Sequence, residues 1–127
     1  MRSEKSESKK LKLSLRTSTI EDATVVYCRG RIVFRDEAEF LAATLLKAVP
    51  VTRQLVLELS GVESIDNFGL GELVRLWHAA RFHNCWLSLA APSAHVLEML
   101  HLTRLDTVFD IHASLEDALL AARGTVA

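Results

Sequence analysis

The sequence predicts an α/β fold, a mixed central β-sheet in the order β-β-α-β-α-β-α-β-α with helices packed against it. Three observations carry that reading. The apolar residues switch repeatedly between a spacing of two and a spacing near 3.6 along the chain. The first two strand-like runs follow each other directly, as in an antiparallel hairpin, whereas every later strand is reached through a helix, as in right-handed parallel crossovers. The 127 residues, 50% hydrophobic and 24% charged, suit one core. A domain of this length buries roughly two thirds of the surface its unfolded chain exposes and needs neither disulfide nor metal to fold.

The elements follow in order. Leu11, Leu13 and Leu15 alternate with Lys12, Ser14 and Arg16, the pattern of a half-buried strand. A polar turn, Ser18 to Asp22, leads to Val25, Val26, Tyr27 and Cys28, dense in strand formers, and Gly30 marks a bend. After Ile32, Val33 and Phe34 the character changes at Asp36, three residues before Glu39, a capping-box spacing. Phe40, Leu41, Leu45, Ala48 and Val49 give the helix that follows its apolar face, and Pro50 ends it. Gln54 to Leu59 is almost wholly apolar apart from Glu58, which suits an interior strand covered by helices. From Gly69 on, Leu70, Leu73, Val74, Trp77 and Ala80 form one stripe of an amphipathic helix that ends near His83. Trp86 to Ala90 is strand again. Pro92 and Ser93 open a short helix carrying Val96, Leu97 and Leu100, and Thr107 to Phe109 gives a last short strand. Ser114 and Asp117 have capping-box character for a final helix, Leu115 to Arg123. Residues 11–123 thus read as a single domain behind a charged tail, residues 1–10, which cannot bury enough to fold and is expected to be disordered.

Composition excludes several classes of function. The longest unbroken apolar run, Ala118 to Ala122, falls far short of the ~20 residues a membrane-spanning helix needs. The first ten residues hold no apolar stretch of the kind a secretory signal requires, so a cytoplasmic protein without direct membrane insertion is expected. Lys+Arg number 15 and Asp+Glu 16, and the tail carries an excess of basic residues, so the folded part is net acidic. Such a body is a poor nucleic-acid surface. Cys28 and Cys85 lie in separate apolar runs with no CxxC pair, as expected for two buried thiols.

No reactive constellation emerges. His78 and His83 are separated by about 140° around a helix, and His95 and His101 by about 120°, so neither pair forms one ligand face. No metal, cofactor or catalytic residue is expected, since G-x-S-x-G, H-E-x-x-H and Gly-rich phosphate loops are all absent. Glu63 and Asp66 read as a solvated loop rather than a carboxylate pair. Arg31, Arg35, Asp36, Glu37 and Glu39 read as a solvated start to the first helix or as the rim of a docking face.

The remaining candidate is the connection SGVESIDNFGLG, residues 60–71, the one long loop the pattern leaves. It runs from the carboxyl end of a buried strand into the amino end of a helix, the usual functional edge of an α/β sheet. Free N–H groups there favour an anion, and Asp66 or Asn67 can cap them. A cap alone, worth about 1 kcal/mol, accounts for either residue without any partner. Phe68 has two readings, a core ring tucked under the helix or an aromatic anchor for a partner. Gly61, Gly69 and Gly71 read as backbone permissions rather than ligand contacts.

The strand-bend-helix run CRGRIVFRDEAEFL, the strand LVLELSGVESID, the motif Asp66-x-x-Gly69-Leu70-Gly71 and the closing run SAHVLEMLHLTRLDTVFDIHASLEDAL together resemble the STAS domain of bacterial anti-sigma factor antagonists, over residues 11–122. The resemblance implies a protein that binds partners and performs no chemistry. In that family's circuit the unmodified domain captures an anti-sigma factor kinase, and phosphorylation of a Ser or Thr directly after the Asp ends the capture. Here that position and the next are Asn67 and Phe68, neither of which accepts a phosphoryl group. Ser64 is the nearest hydroxyl but lies before Asp66, and the acceptor role does not carry over to it. The resemblance therefore implies a non-switching binder, or a member of a branch regulated elsewhere, that docks an anti-sigma factor, a serine kinase-like protein or another regulatory protein through Asp66, Asn67, Phe68, Gly69, Leu70 and Gly71. It leaves two alternatives open: dimerisation, and a STAS subunit of an ABC-type lipid-transport complex at the inner membrane, where family members also lack the acceptor.

Overall fold

The alternating leucines at the start become strand β1, Leu13–Ile20, in a computed structural model that describes residues 11–126. The expected tail over 1–10 lies outside the described residues. β1 pairs antiparallel with β2, Ala23–Ile32. The polar stretch from Ser18 does not turn, because Ser18, Thr19 and Ile20 face Val25, Thr24 and Ala23 across the ladder. The turn is confined to Glu21 and Asp22, with Glu21 at φ 58.

Helix α1, Phe34–Ala48, follows β2 and closes in a short 3-10 turn, Val49–Val51, around Pro50. Strand β3, Gln54–Ile65, leads into helix α2, Asn67–Phe82, and β4, Trp86–Ala90, into helix α3, Ala94–Leu102. A 3-10 turn, Leu105–Thr107, precedes β5, Asp110–His112, and helix α4, Leu115–Val126, ends the described chain. The strands lie in the order β1-β2-β3-β4-β5, and all pairs after the hairpin are parallel. This is the mixed sheet with crossover helices that the alternation predicts.

Strand alternation sorts the core into two layers. Val26, Cys28, Leu55, Leu57, Leu59, Leu87 and Leu89 pack on one side with Leu41 and Leu45 of α1, Leu70, Leu73 and Leu76 of α2, and Val96 and Leu100 of α3. Val25, Val56 and Ala90 form a smaller cluster with Ala118 of α4. Their parity in the strands places them on the opposite face. Beyond that cluster the second face turns polar: Arg16, opposite Tyr27 in register, holds its guanidinium 4.2 Å from the ring centre.

Three sequence expectations are corrected and one is sharpened. The bend at Gly30 falls within β2, which runs through it to Ile32, with register shifts against β3 around it. Its φ of +113 belongs to glycine, and a Cβ there would run into the Lys12 carbonyl. Asp36 caps nothing, since α1 begins two residues earlier and Val33 at its cap position provides no side-chain acceptor. Glu37, expected in a solvated stretch, is 5% exposed and accepts the Lys12 backbone N–H at 2.9 Å. Thr107 to Phe109 is not strand: β5 starts at Asp110, because Thr107, Val108 and Phe109 donate back to Arg104 and Leu105.

Candidate functional site

The connection expected to be a loop is mostly regular structure. Strand β3 continues to Ile65 because Gly61, Val62, Ser64 and Ile65 pair with Arg29, Gly30, Arg31 and Ile32 past the irregularity at Gly30. Helix α2 starts at Asn67, so Asp66 alone joins strand to helix. Gly69, Leu70 and Gly71 therefore stand in the first turns of a helix, not in a flexible loop.

Asp66 holds that junction with both oxygens. Its Oδ1 accepts the N–H groups of Phe68 at 3.0 Å and Gly69 at 3.2 Å, an amino-terminal cap on α2. Its Oδ2 accepts the N–H of Phe34 at 2.8 Å, the first residue of α1. The Asp66 N–H in turn donates to the Ile32 carbonyl at 3.3 Å. One carboxylate thus closes two helix starts, and the N–H groups expected to be free for an anion on α2 are partly filled from within. Asn67, the other candidate cap, is exposed, and its side chain hydrogen-bonds none of the described residues.

Close packing explains one of the glycines and not another. A Cβ on Gly69 would meet the Ile32 carbonyl and the Ile65 and Ile32 side chains at under 3 Å, so this glycine lets α2 lie against the ends of β2 and β3. A Cβ on Gly71 would meet nothing within 4 Å. Leu70 is buried and belongs to the core.

Phe68 is 48% exposed, which removes the core reading, and the Arg35 guanidinium lies 5.5 Å from its ring centre. Phe34 is 67% exposed beside the same carboxylate, at a position that no sequence motif marks. Its apolar character continues Ile32 and Val33, so the pattern gave it to the strand, and no local signal announces a bond to a residue 32 positions away. Ser64 is half-buried on β3 opposite Arg31, and Glu63 is exposed.

Two histidine–carboxylate pairs lie on other elements. His101 reaches Asp106 at 2.9 Å from the last turn of α3, and His112 reaches Asp110 at 3.1 Å on β5. Among the described residues no three His, Cys, Asp or Glu side chains gather as a metal site, and no helix is long and apolar enough to cross a membrane. Both thiols are free and buried. Burial, with a smaller contribution from the Glu58 charge, pushes Cys28 up to about 12, and burial pushes Cys85 up to about 11.

Comparison with known proteins agrees with this architecture. The family model described as STAS domain matches residues 14–118. A candidate anti-sigma factor antagonist from Thermotoga neapolitana is 32% identical over 71 residues, 56% of this chain and 63% of that relative's length. The crystal structure of an anti-sigma factor antagonist from Mycobacterium paratuberculosis superposes with a TM-score of 0.79 at 25% identity, covering 87% of this chain and 94% of that one. The antagonist SpoIIAA in its unphosphorylated form shares the fold, with a TM-score of 0.74 at 16% identity over 87% of this chain and 97% of its own.

Proposed function

The chain belongs to the STAS domain family, and from that premise we propose that it is a regulatory protein-binding module of the anti-sigma factor antagonist type, which docks an anti-sigma factor kinase through Asp66 to Gly71. The observation that carries the reading is Phe68, an aromatic ring left half in solvent on the first turn of a helix whose start is capped by Asp66. A rigid exposed aromatic loses little entropy on being buried and is the residue type that anchors interfaces. Gly71 supports it: an exposed helical glycine costs about 1 kcal/mol relative to alanine, and nothing in the fold requires it. A bare patch of helix backbone next to the ring suits close approach by a partner.

The same geometry supports docking without a phosphorylation switch at this site. A phosphoryl group would bring about two negative charges beside the Asp66 carboxylate, and Asn67 has no hydroxyl to carry one. Its neutral amide keeps the surface in the uncharged state. The names of the relatives favour this reading over a lipid-transport subunit, and its action is binding rather than catalysis, in the cytoplasm.

The test uses the purified anti-sigma factor kinases of the native host. At least one is expected to bind the wild-type chain, Phe68→Ala to weaken that binding tenfold or more, and Asn67→Asp to weaken it through added charge. Mass spectrometry after incubation with the same kinases and ATP is expected to find residues 60–71 unmodified. Full-strength capture by both variants would move the interface elsewhere, and stoichiometric phosphate on Ser60 or Ser64 would overturn the non-switching part.

A further inference from the structure

Phe34 combines two costs that a fold has no reason to accept together. Its backbone sits at φ 63, the left-handed region, where a bulky L-residue is strained and glycine is not. Its ring is 67% exposed, so the strain is not offset by burial. The turn itself has a purpose: it carries the chain from β2 into α1 and aims the Phe34 N–H at Asp66 Oδ2. Glycine would make that turn and donate that N–H equally well.

Strain of this kind concentrates where a side chain is needed for something other than folding. Phe34 and Phe68 hang by their N–H groups from the two oxygens of one carboxylate, so both rings emerge from one small area of surface. Arg35 lies over the Phe68 ring, and Arg31 precedes the turn. Neither arginine has a carboxylate within 4 Å among the described residues, although Asp36 and Glu39 are exposed farther into α1.

We infer that Phe34 is a second aromatic anchor of the docking surface, held out by its strained backbone, and that the pair fits a partner protein whose apolar pockets are edged by carboxylates facing Arg35. This inference rests on the docking reading of Asp66 to Gly71 and extends it to a second element. It makes stability and binding move in opposite directions on one substitution. Phe34→Gly keeps the N–H to Asp66, relieves the backbone and removes the ring.

Thermal melting and binding to the purified anti-sigma factor kinase captured by the wild-type chain test it together. Phe34→Gly is expected to melt several degrees higher and to bind at least tenfold more weakly, and Phe34→Ala to bind as weakly without the gain in melting temperature. Arg35→Glu is expected to slow association at low salt. Full-strength binding by Phe34→Gly, with Phe68→Ala impaired, would overturn the second anchor and leave the first. Binding untouched by either substitution would overturn the docking reading itself.

Discussion

Asp66 is legible in the sequence only as half of what it does. Its place before a helical run announces a cap on α2, and both Phe68 and Gly69 donate to it. The bond from Phe34 is invisible beforehand, because it joins elements that the fold alone brings together. Asp66→Ala removes the acceptor for three N–H groups and is expected to cost about 2–3 kcal/mol in urea unfolding, more than a cap on one helix would. Asp66→Asn, which keeps one good acceptor, is expected to cost less. The two glycines nearby separate in the same measurement. Gly69→Ala drives a methyl into Ile32 and Ile65 and is expected to destabilise by about 1–3 kcal/mol. Gly71→Ala has open space and is expected to stabilise by about 1 kcal/mol while weakening capture of the kinase.

At the scale of elements, apolar periodicity locates β1, β4 and the helices well and misplaces several ends. The errors share a cause. Residues 60–65 look like loop because Ser60, Gly61 and Glu63 are poor strand formers. Yet β2 is there to pair with them, and main-chain hydrogen bonding overrides side-chain preference. That pairing is displaced at Gly30, where β2 shifts register against β3 and the Arg31 N–H donates to Lys12 at 2.7 Å. Gly30 thus governs three strands and, through the two residues that follow Arg31, the start of α1. Gly30→Ala meets both an unfavourable φ and the Lys12 carbonyl. A loss of about 2 kcal/mol or more is expected, and hydrogen exchange should show it as faster opening of residues 28–34 and 60–66 than of β4. Uniform loss of protection across the sheet would mean that the corner is not a local unit. The β5 error has a different origin: Phe109 is buried and apolar, as a strand residue would be, but it packs from a turn.

On the scale of the whole molecule, the two-layer core decides how the protein responds to alkali. Cys28 lies within the larger layer between β2 and its helices, and Cys85 at the entrance to β4. Removing water from both favours the neutral thiol, so each is held above its ordinary value of 9.0, Cys28 to about 12 and Cys85 to about 11. The unfolded chain therefore loses these protons at lower pH than the folded one. Between those values the folded state binds more protons, and stability must fall as pH rises. The contribution is fully present below pH 9 and is lost progressively toward pH 11 to 12. Urea midpoints between pH 8 and 11 are expected to decline more steeply for the wild-type chain than for Cys28→Ala/Cys85→Ala, which starts lower because of the packing it loses. Comparing slopes isolates the thiols from other groups that titrate in alkali. At pH 8 the same burial should make both thiols react with a disulfide reagent far more slowly in the native state than in urea. Equal slopes together with rapid native-state labelling would show that the layer around the thiols opens to water, contrary to the packing of β2 and β4 beneath α1, α2 and α3.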